Sequence, residues 1–304
     1  MSTSIAPKDF NVGGIRVHVY ARPGVLPSPG DAPVTPAGSS VSVLFALHGR
    51  MGDSSNEDIV ATAVEALNFV SAQEKEAGEA GRELIVVTFD HRNHGERTVD
   101  SFGNQGWSKA AEKHNERHAV DMYAIQTGTA KDVSFLIDFL PAYLFPSDER
   151  TITTWGMLGV SLGGHATWLT LKNDPRLTVG IPVIGCPDYL TLLELRADKH
   201  GLSLAPPYMP ASLRAYIKAH DPVTTDYAST SASNPFGGKR ILVLSGAEDP
   251  LVQWTASATF IEGLQVGPSG LKEVKVLEGV KHEYTPQMRE TAIQFGIWEE
   301  MVRK

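Results

Sequence analysis

From Val41 onward the chain alternates two kinds of segment. Apolar β-type runs, VSVLFAL (41–47), ELIVVTF (83–89), ITTWGML (152–158), VGIPVIG (179–185), RILVLSG (240–246) and EVKVLEG (273–279), are separated by mostly amphipathic stretches at 57–77, 120–140, 164–172, 254–264 and 286–302. Continuous apolar runs imply strands buried on both faces. Their alternation with helices implies an α/β fold, a mostly parallel central sheet with helices on both sides. In the last stretch Met288, Ala292, Phe295, Trp298 and Met301 recur at three to four residues, which predicts one helix turned toward the sheet.

Before residue 41, alternation around Gly13-Gly14 predicts an edge hairpin of residues 10–12 and 15–21. Five prolines then fall within residues 22–36, which cannot donate a full strand ladder and are expected to form a surface loop. There is no internal repeat. A chain of 304 residues with 42% hydrophobic composition can bury a large core, and residues 1–304 read as a single domain.

Charge and cysteine content narrow the functional classes. With 27 basic against 35 acidic residues and no basic block, nothing suggests a phosphate-tracking surface, and no nucleic-acid partner is expected. The single Cys186 allows neither an intrachain disulfide nor a Cys-rich metal site and reads as a small buried side chain. No run approaches the roughly 18 apolar residues of a membrane span, and the first ten residues lack a basic-then-apolar leader pattern; a cytoplasmic protein is expected.

The chemistry centres on Thr151 to Leu171, where a β-type run breaks into Gly159-Val160-Ser161-Leu162-Gly163 and continues as a helix. So tight a turn needs glycines on either side of Ser161, because a Cβ there would strike backbone. It pushes Oγ above the sheet and aims the Leu162 N–H at the same space. In such sheets ligands bind beyond the carboxyl ends of the strands. After the first buried strand, His48-Gly49-Arg50-Met51-Gly52 makes a sharp turn whose Arg50 N–H, or less readily that of Met51, completes an oxyanion hole with Leu162. Asp249 follows the 240–246 run and His282 the 273–279 run. A serine hydroxyl needs an imidazole to take its proton, and the imidazole needs a carboxylate to fix its tautomer, so the order Ser161, Asp249, His282 predicts a catalytic triad. Asp188 and Glu248 are the fallback carboxylates.

Asp90, His91 and His94, in the turn after residue 89, are expected to be structural, bonding loop backbone. His91 with His94, or His114 with His118, could suggest a metal, but no HExxH or mixed cluster accompanies them; neither metal nor cofactor is expected. The Arg50 side chain has two routes. It either runs outward to a surface carboxylate, the favoured expectation on so acidic a chain, or crosses the pocket mouth and clamps a substrate carboxylate.

Together these motifs resemble the α/β-hydrolases over residues 41–304, with the nucleophile elbow on 159–163, the oxyanion turn on His48-Gly49, the acid on Asp249 and the base on His282. The Asp90-His91-Arg92-Asn93-His94-Gly95 turn and the ending His282-Glu283-Tyr284-Thr285-Pro286 are most similar to the small dienelactone-hydrolase-like and prolyl-oligopeptidase-like serine esterases. Departures are the absence of a β-propeller-sized N-terminal region and the serine, not cysteine, at the elbow. The resemblance implies hydrolysis of a small-molecule ester or lactone through an acyl-enzyme. Thioester or carbon–carbon hydrolysis and acyl transfer use the same triad, and a non-catalytic binding protein on this scaffold would be expected to have lost a triad residue. Residues 187–235 are too long for a simple connection; with helix-like pieces at 190–196 and 213–220 they are expected to form a small helical lid. Residues 107–123 are expected to supply another wall.

Overall fold

The apolar runs form one eight-stranded sheet, with strand order β1-β2-β4-β3-β5-β6-β7-β8. A computed structural model describes residues 5–27, 40–77 and 81–303. Most of the proline-rich segment lies outside the described residues. The expected hairpin is β1 (Lys8–Val12) and β2 (Ile15–Ala21), and β2 runs antiparallel to its other neighbour, β4 (Glu83–Phe89). The remaining strands, β3 (Ser40–Leu47), β5 (Thr151–Val160), β6 (Leu177–Val183), β7 (Arg240–Gly246) and β8 (Leu271–Leu277), are parallel.

Alternate residues of each strand serve opposite faces. From β3, Val43, Phe45 and Leu47 pack with residues of α2 (His118–Leu144), α3 (Leu162–Asn173) and α6 (Trp254–Gly263), whereas Leu44 and Ala46 pack with α1 (Glu57–Ala77) and the C-terminal helix. A third cluster lies above the strand ends. It joins the start of α2 to α4 (Tyr189–His200) and α5 (Ala211–His220), both inserted between β6 and β7. These helices extend the two predicted lid pieces. Among the described residues no helix is long and apolar enough to cross a membrane.

Three details differ from the sequence reading. The 179–185 run is displaced, because Ile184 turns off the sheet at φ +45° and Gly185 packs on α3, where a Cβ would lie 2.4 Å from the Gly164 carbonyl carbon. β8 is half-buried along its length, as an edge strand carrying Lys272, Glu273 and Lys275, so the expectation of burial on both faces fails there. The C-terminal helix is α7 (Pro286–Thr291) continued as a π-helix over Ala292–Val302. Its wider turn places Ile293 and Ile297 in the core with Met288, Ala292 and Met301, while Phe295 is only partly buried.

Candidate active site

Ser161 stands between β5 and α3 at φ +54°, ψ −105°. Strain of this kind costs on the order of 1–3 kcal/mol. It is offset by what the turn allows: α3 buries Leu162, Ala166, Trp168, Leu169 and Leu171, and each large apolar side chain contributes about 1.5–3 kcal/mol. Two backbone bonds fix the turn, Ser161 N–H to the Val183 carbonyl at 2.9 Å and His165 N–H to the Ser161 carbonyl at 3.0 Å. The flanking glycines are required sterically. A Cβ on Gly159 would lie 2.1 Å from the Gly163 oxygen, and one on Gly163 would lie 2.7 Å from the Leu47 oxygen.

The three sequence-predicted side chains meet at the carboxyl ends of β5, β7 and β8. Ser161 Oγ lies 2.9 Å from His282 Nε2, and His282 Nδ1 lies 2.7 Å from Asp249 Oδ2. The other carboxylate oxygen, Oδ1, accepts the N–H groups of Leu251 at 2.8 Å and Val252 at 2.9 Å, which fixes the orientation of the acid. Burial would raise the Asp249 carboxyl, but the hydrogen bonds from His282, Val252 and Leu251 outweigh it and hold the group below its usual value. The acid therefore stays ionised and keeps Nδ1 of His282 protonated, leaving Nε2 to face the serine. Gly246 makes this approach possible, since a Cβ there would lie 2.4 Å from the Val280 oxygen in the loop that carries His282. The fallback carboxylates go elsewhere: Asp188 caps α4 by accepting Thr191 N–H at 3.0 Å, and Glu248 is exposed.

The β3 turn lies against the serine, because Leu47 pairs with Gly159 and a Cβ on Gly49 would sit 3.6 Å from Ser161 Cβ. Among the described residues, neither the Arg50 N–H nor the Leu162 N–H has an acceptor. Free donors of this kind beside a nucleophile are what an oxyanion requires. The turn is held from behind by histidines. His91 N–H donates to His48 Nε2 at 3.2 Å, His91 Nε2 donates to the His48 carbonyl at 2.7 Å, and His48 Nδ1 donates to the Gly49 carbonyl at 2.7 Å. Burial pushes His48 down to about 4 and His91 well below the usual imidazole value, so both rings are neutral donors and acceptors. Asp90 accepts Ser54 N–H and Glu96 N–H, each at 2.8 Å. The structural expectation for Asp90 and His91 agrees with these contacts, although the sequence carried no sign that His91 braces the turn after β3.

Beside Ser161 and His282 lies a cleft of about 650 Å³, lined in part by Arg50, Trp107, His118, Arg196 and Leu251. Trp107 and His118 come from the predicted 107–123 wall and Arg196 from α4. The favoured route for the Arg50 side chain is corrected: no described carboxylate pairs with it, and it lies in the cleft with Nη1 donating to the Asn104 carbonyl at 2.9 Å. Arg196 was missed, since an arginine on a polar helix reads as solvated. Cys186 is buried, with its thiol pushed up to about 12 by burial. Among the described residues no group of three His, Cys, Asp or Glu side chains is placed to hold a metal.

No protein-family model matches the chain, and no curated protein sequence matches it. Solved structures do. TT1662 from Thermus thermophilus is 16% identical over 96% of each chain with a TM-score of 0.60. Acetyl xylan esterase 1 from a Thermoanaerobacterium species is 18% identical, covering 97% of this chain and 84% of its own, with a TM-score of 0.57. Est1E from Butyrivibrio proteoclasticus, solved with ferulic acid, is 16% identical, covering 95% and 97%, with a TM-score of 0.55. At these identities the likeness concerns the fold. The chain has the α/β-hydrolase fold.

Proposed function

We propose that this protein is a serine hydrolase that cleaves a small-molecule carboxylic ester or lactone through an acyl-enzyme. The observation that carries the reading is the unbroken chain from Ser161 Oγ through His282 to Asp249, at 2.9 Å and 2.7 Å, on a strained elbow beside two unused backbone donors. Ser161 Oγ adds to the ester carbonyl as His282 Nε2 takes its proton, and the N–H groups of Arg50 and Leu162 receive the oxyanion. On collapse His282 returns that proton to the leaving alcohol, leaving Ser161 acylated. Water then attacks the acyl carbon, His282 takes a proton from it, and the acid is released with Ser161 restored. In this reading residues 1–304 act as one α/β-hydrolase domain and the 187–235 insertion is its lid. Acetyl xylan esterase 1 lends support as an esterase neighbour, and Est1E as a neighbour solved with ferulic acid.

The test is a panel of 4-nitrophenyl esters of increasing acyl length together with simple lactones, assayed with wild type and Ser161→Ala. Hydrolysis by wild type and a loss of about 10³-fold or more in kcat for the variant are expected. Similar rates in the two proteins would refute the assignment.

A further inference from the structure

We infer that the cleft beside Ser161 contains a subsite for a carboxylate, formed by Arg50 and Arg196, and that the substrate is an ester bearing a second, acidic group. The inference rests on the hydrolase reading and narrows its substrate. Both arginines line the cleft, and neither makes an ion pair with a carboxylate among the described residues. Outside the cleft Arg22, Arg92, Arg97, Arg176 and Arg289 are each paired with an acid, whereas Arg82 and Arg214 meet backbone carbonyls but do not line the cleft. The two cleft arginines use little of their donor capacity. Arg50 spends one N–H on the Asn104 carbonyl. Arg196 donates from Nε to the Leu251 carbonyl at 2.9 Å and from Nη1 to His118 Nε2 at 3.3 Å.

His118 does not neutralise them. Its Nδ1 donates to the Gln105 carbonyl at 3.1 Å, so Nε2 is the acceptor and the ring is neutral; burial and the charges of Arg196 and Arg50 hold its pKa well below the usual value. Two acids line the same cleft, Asp58, which pairs with Arg289, and Glu283, which is exposed and makes no ion pair with either arginine; Asp249 holds His282. Lys199, also on the cleft wall, adds positive charge. Two partly desolvated cations without an anion are costly, and burial lowers the proton affinity of both. A carboxylate entering between them would take up the unused forked donors and relieve that cost. The competing role for Arg196 is to hold the Leu251 carbonyl and so the Asp249 loop. One neutral N–H suffices for that, without a half-buried charge.

The experiment compares mono-4-nitrophenyl esters of dicarboxylic acids, from succinate to suberate, with their methyl-capped diesters, using wild type, Arg196→Gln and Arg196→Lys. At one or more chain lengths wild type should favour the acidic ester. Arg196→Gln should lower the acidic-to-neutral ratio of kcat/KM by roughly ten- to a hundredfold, mainly through KM, with partial recovery in Arg196→Lys. An equal loss on both esters would mean that Arg196 only braces the Asp249 loop, and would overturn the subsite. Calorimetric titration of Ser161→Ala with the free dicarboxylates, with and without Arg196→Gln, reads binding without turnover. Arg196-dependent binding supports the subsite even if no ester is hydrolysed, in which case it is the hydrolase reading that fails. Hydrolysis of neutral esters with no acidic preference and no such binding overturns the subsite and leaves the hydrolase reading standing.

Discussion

His48 and His91 exchange two hydrogen bonds, the His91 amide donating to the His48 ring at 3.2 Å and the His91 ring donating to the His48 carbonyl at 2.7 Å. The Arg50 N–H shares its peptide unit with the Gly49 carbonyl, which accepts from His48 Nδ1 at 2.7 Å, so by holding the His48 ring and carbonyl this exchange helps set the direction of the Arg50 N–H. His91 also reaches Thr129 on α2 at 3.0 Å, so the turn is tied to a helix as well as to a strand end.

His91→Ala is therefore expected to lower kcat by about tenfold with little change in KM. Losing an oxyanion donor outright costs roughly 10²–10³, and loosening one costs less. The fully buried ring also leaves a cavity and an unpaired carbonyl, so thermal stability should fall by about 2–4 kcal/mol. Steady-state kinetics alongside thermal melts check both. A variant that melts early but retains wild-type kcat would assign His91 to stability alone.

Asp249→Asn removes the charge that steadies His282 and substitutes a group that can donate as well as accept. Its carbonyl oxygen can still receive Leu251 and Val252 N–H. The amide nitrogen then faces His282 Nδ1 and favours the tautomer with the proton on Nε2, which cannot accept from serine. A fall of roughly 10³–10⁴ in kcat is expected with the fold intact by circular dichroism. Near-normal turnover in this variant, with loss in Asp188→Asn, would move the acid to Asp188.

Asp221 anchors the inserted helices. It accepts Tyr189 N–H, at the start of α4, at 2.7 Å and the Tyr123 hydroxyl at 3.1 Å. Burial, with the Asp188 charge nearby, pushes its carboxyl up to about 7 in spite of these bonds. The unfolded carboxyl titrates near 3.9. Between those values the folded state holds a proton that the unfolded state has released, so this group's contribution falls as pH rises from about 4 to about 7 and is constant above. The fall amounts to roughly 2–4 kcal/mol. Asp221→Asn cannot titrate and mimics the protonated acid. Its stability relative to wild type should rise across that window, whereas parallel Tm curves for the two proteins from pH 4 to 8 would show that Asp221 is ionised throughout.

The sequence was most legible where chain geometry leaves few solutions. Glycines around Ser161, and acid and base each directly after a strand, carry their meaning locally, and the three side chains meet as their positions predict. The strands were readable because burial on both faces requires unbroken apolar runs. β8 was misread because Val274 and Val276 resemble such a run, although the strand's exposure depends on its having one neighbour. The C-terminal helix kept its apolar spacing in sequence but not its α geometry, which no local pattern of residues announced. The routes of Arg50 and Arg196 are properties of the assembled cleft. Composition suggested a surface partner for Arg50, but the turn after β3 places it beside Asn104, 54 residues away in sequence.

The central claim is that Ser161 is a nucleophile activated by His282, and covalent capture tests it most directly. Wild type, Ser161→Ala and His282→Ala would be treated with a fluorophosphonate, followed by intact mass measurement and peptide mapping. The account predicts a single adduct on Ser161 in wild type, none in Ser161→Ala, and labelling slowed by at least about a hundredfold in His282→Ala. An adduct at another residue, or no adduct on a folded wild-type protein, would contradict it.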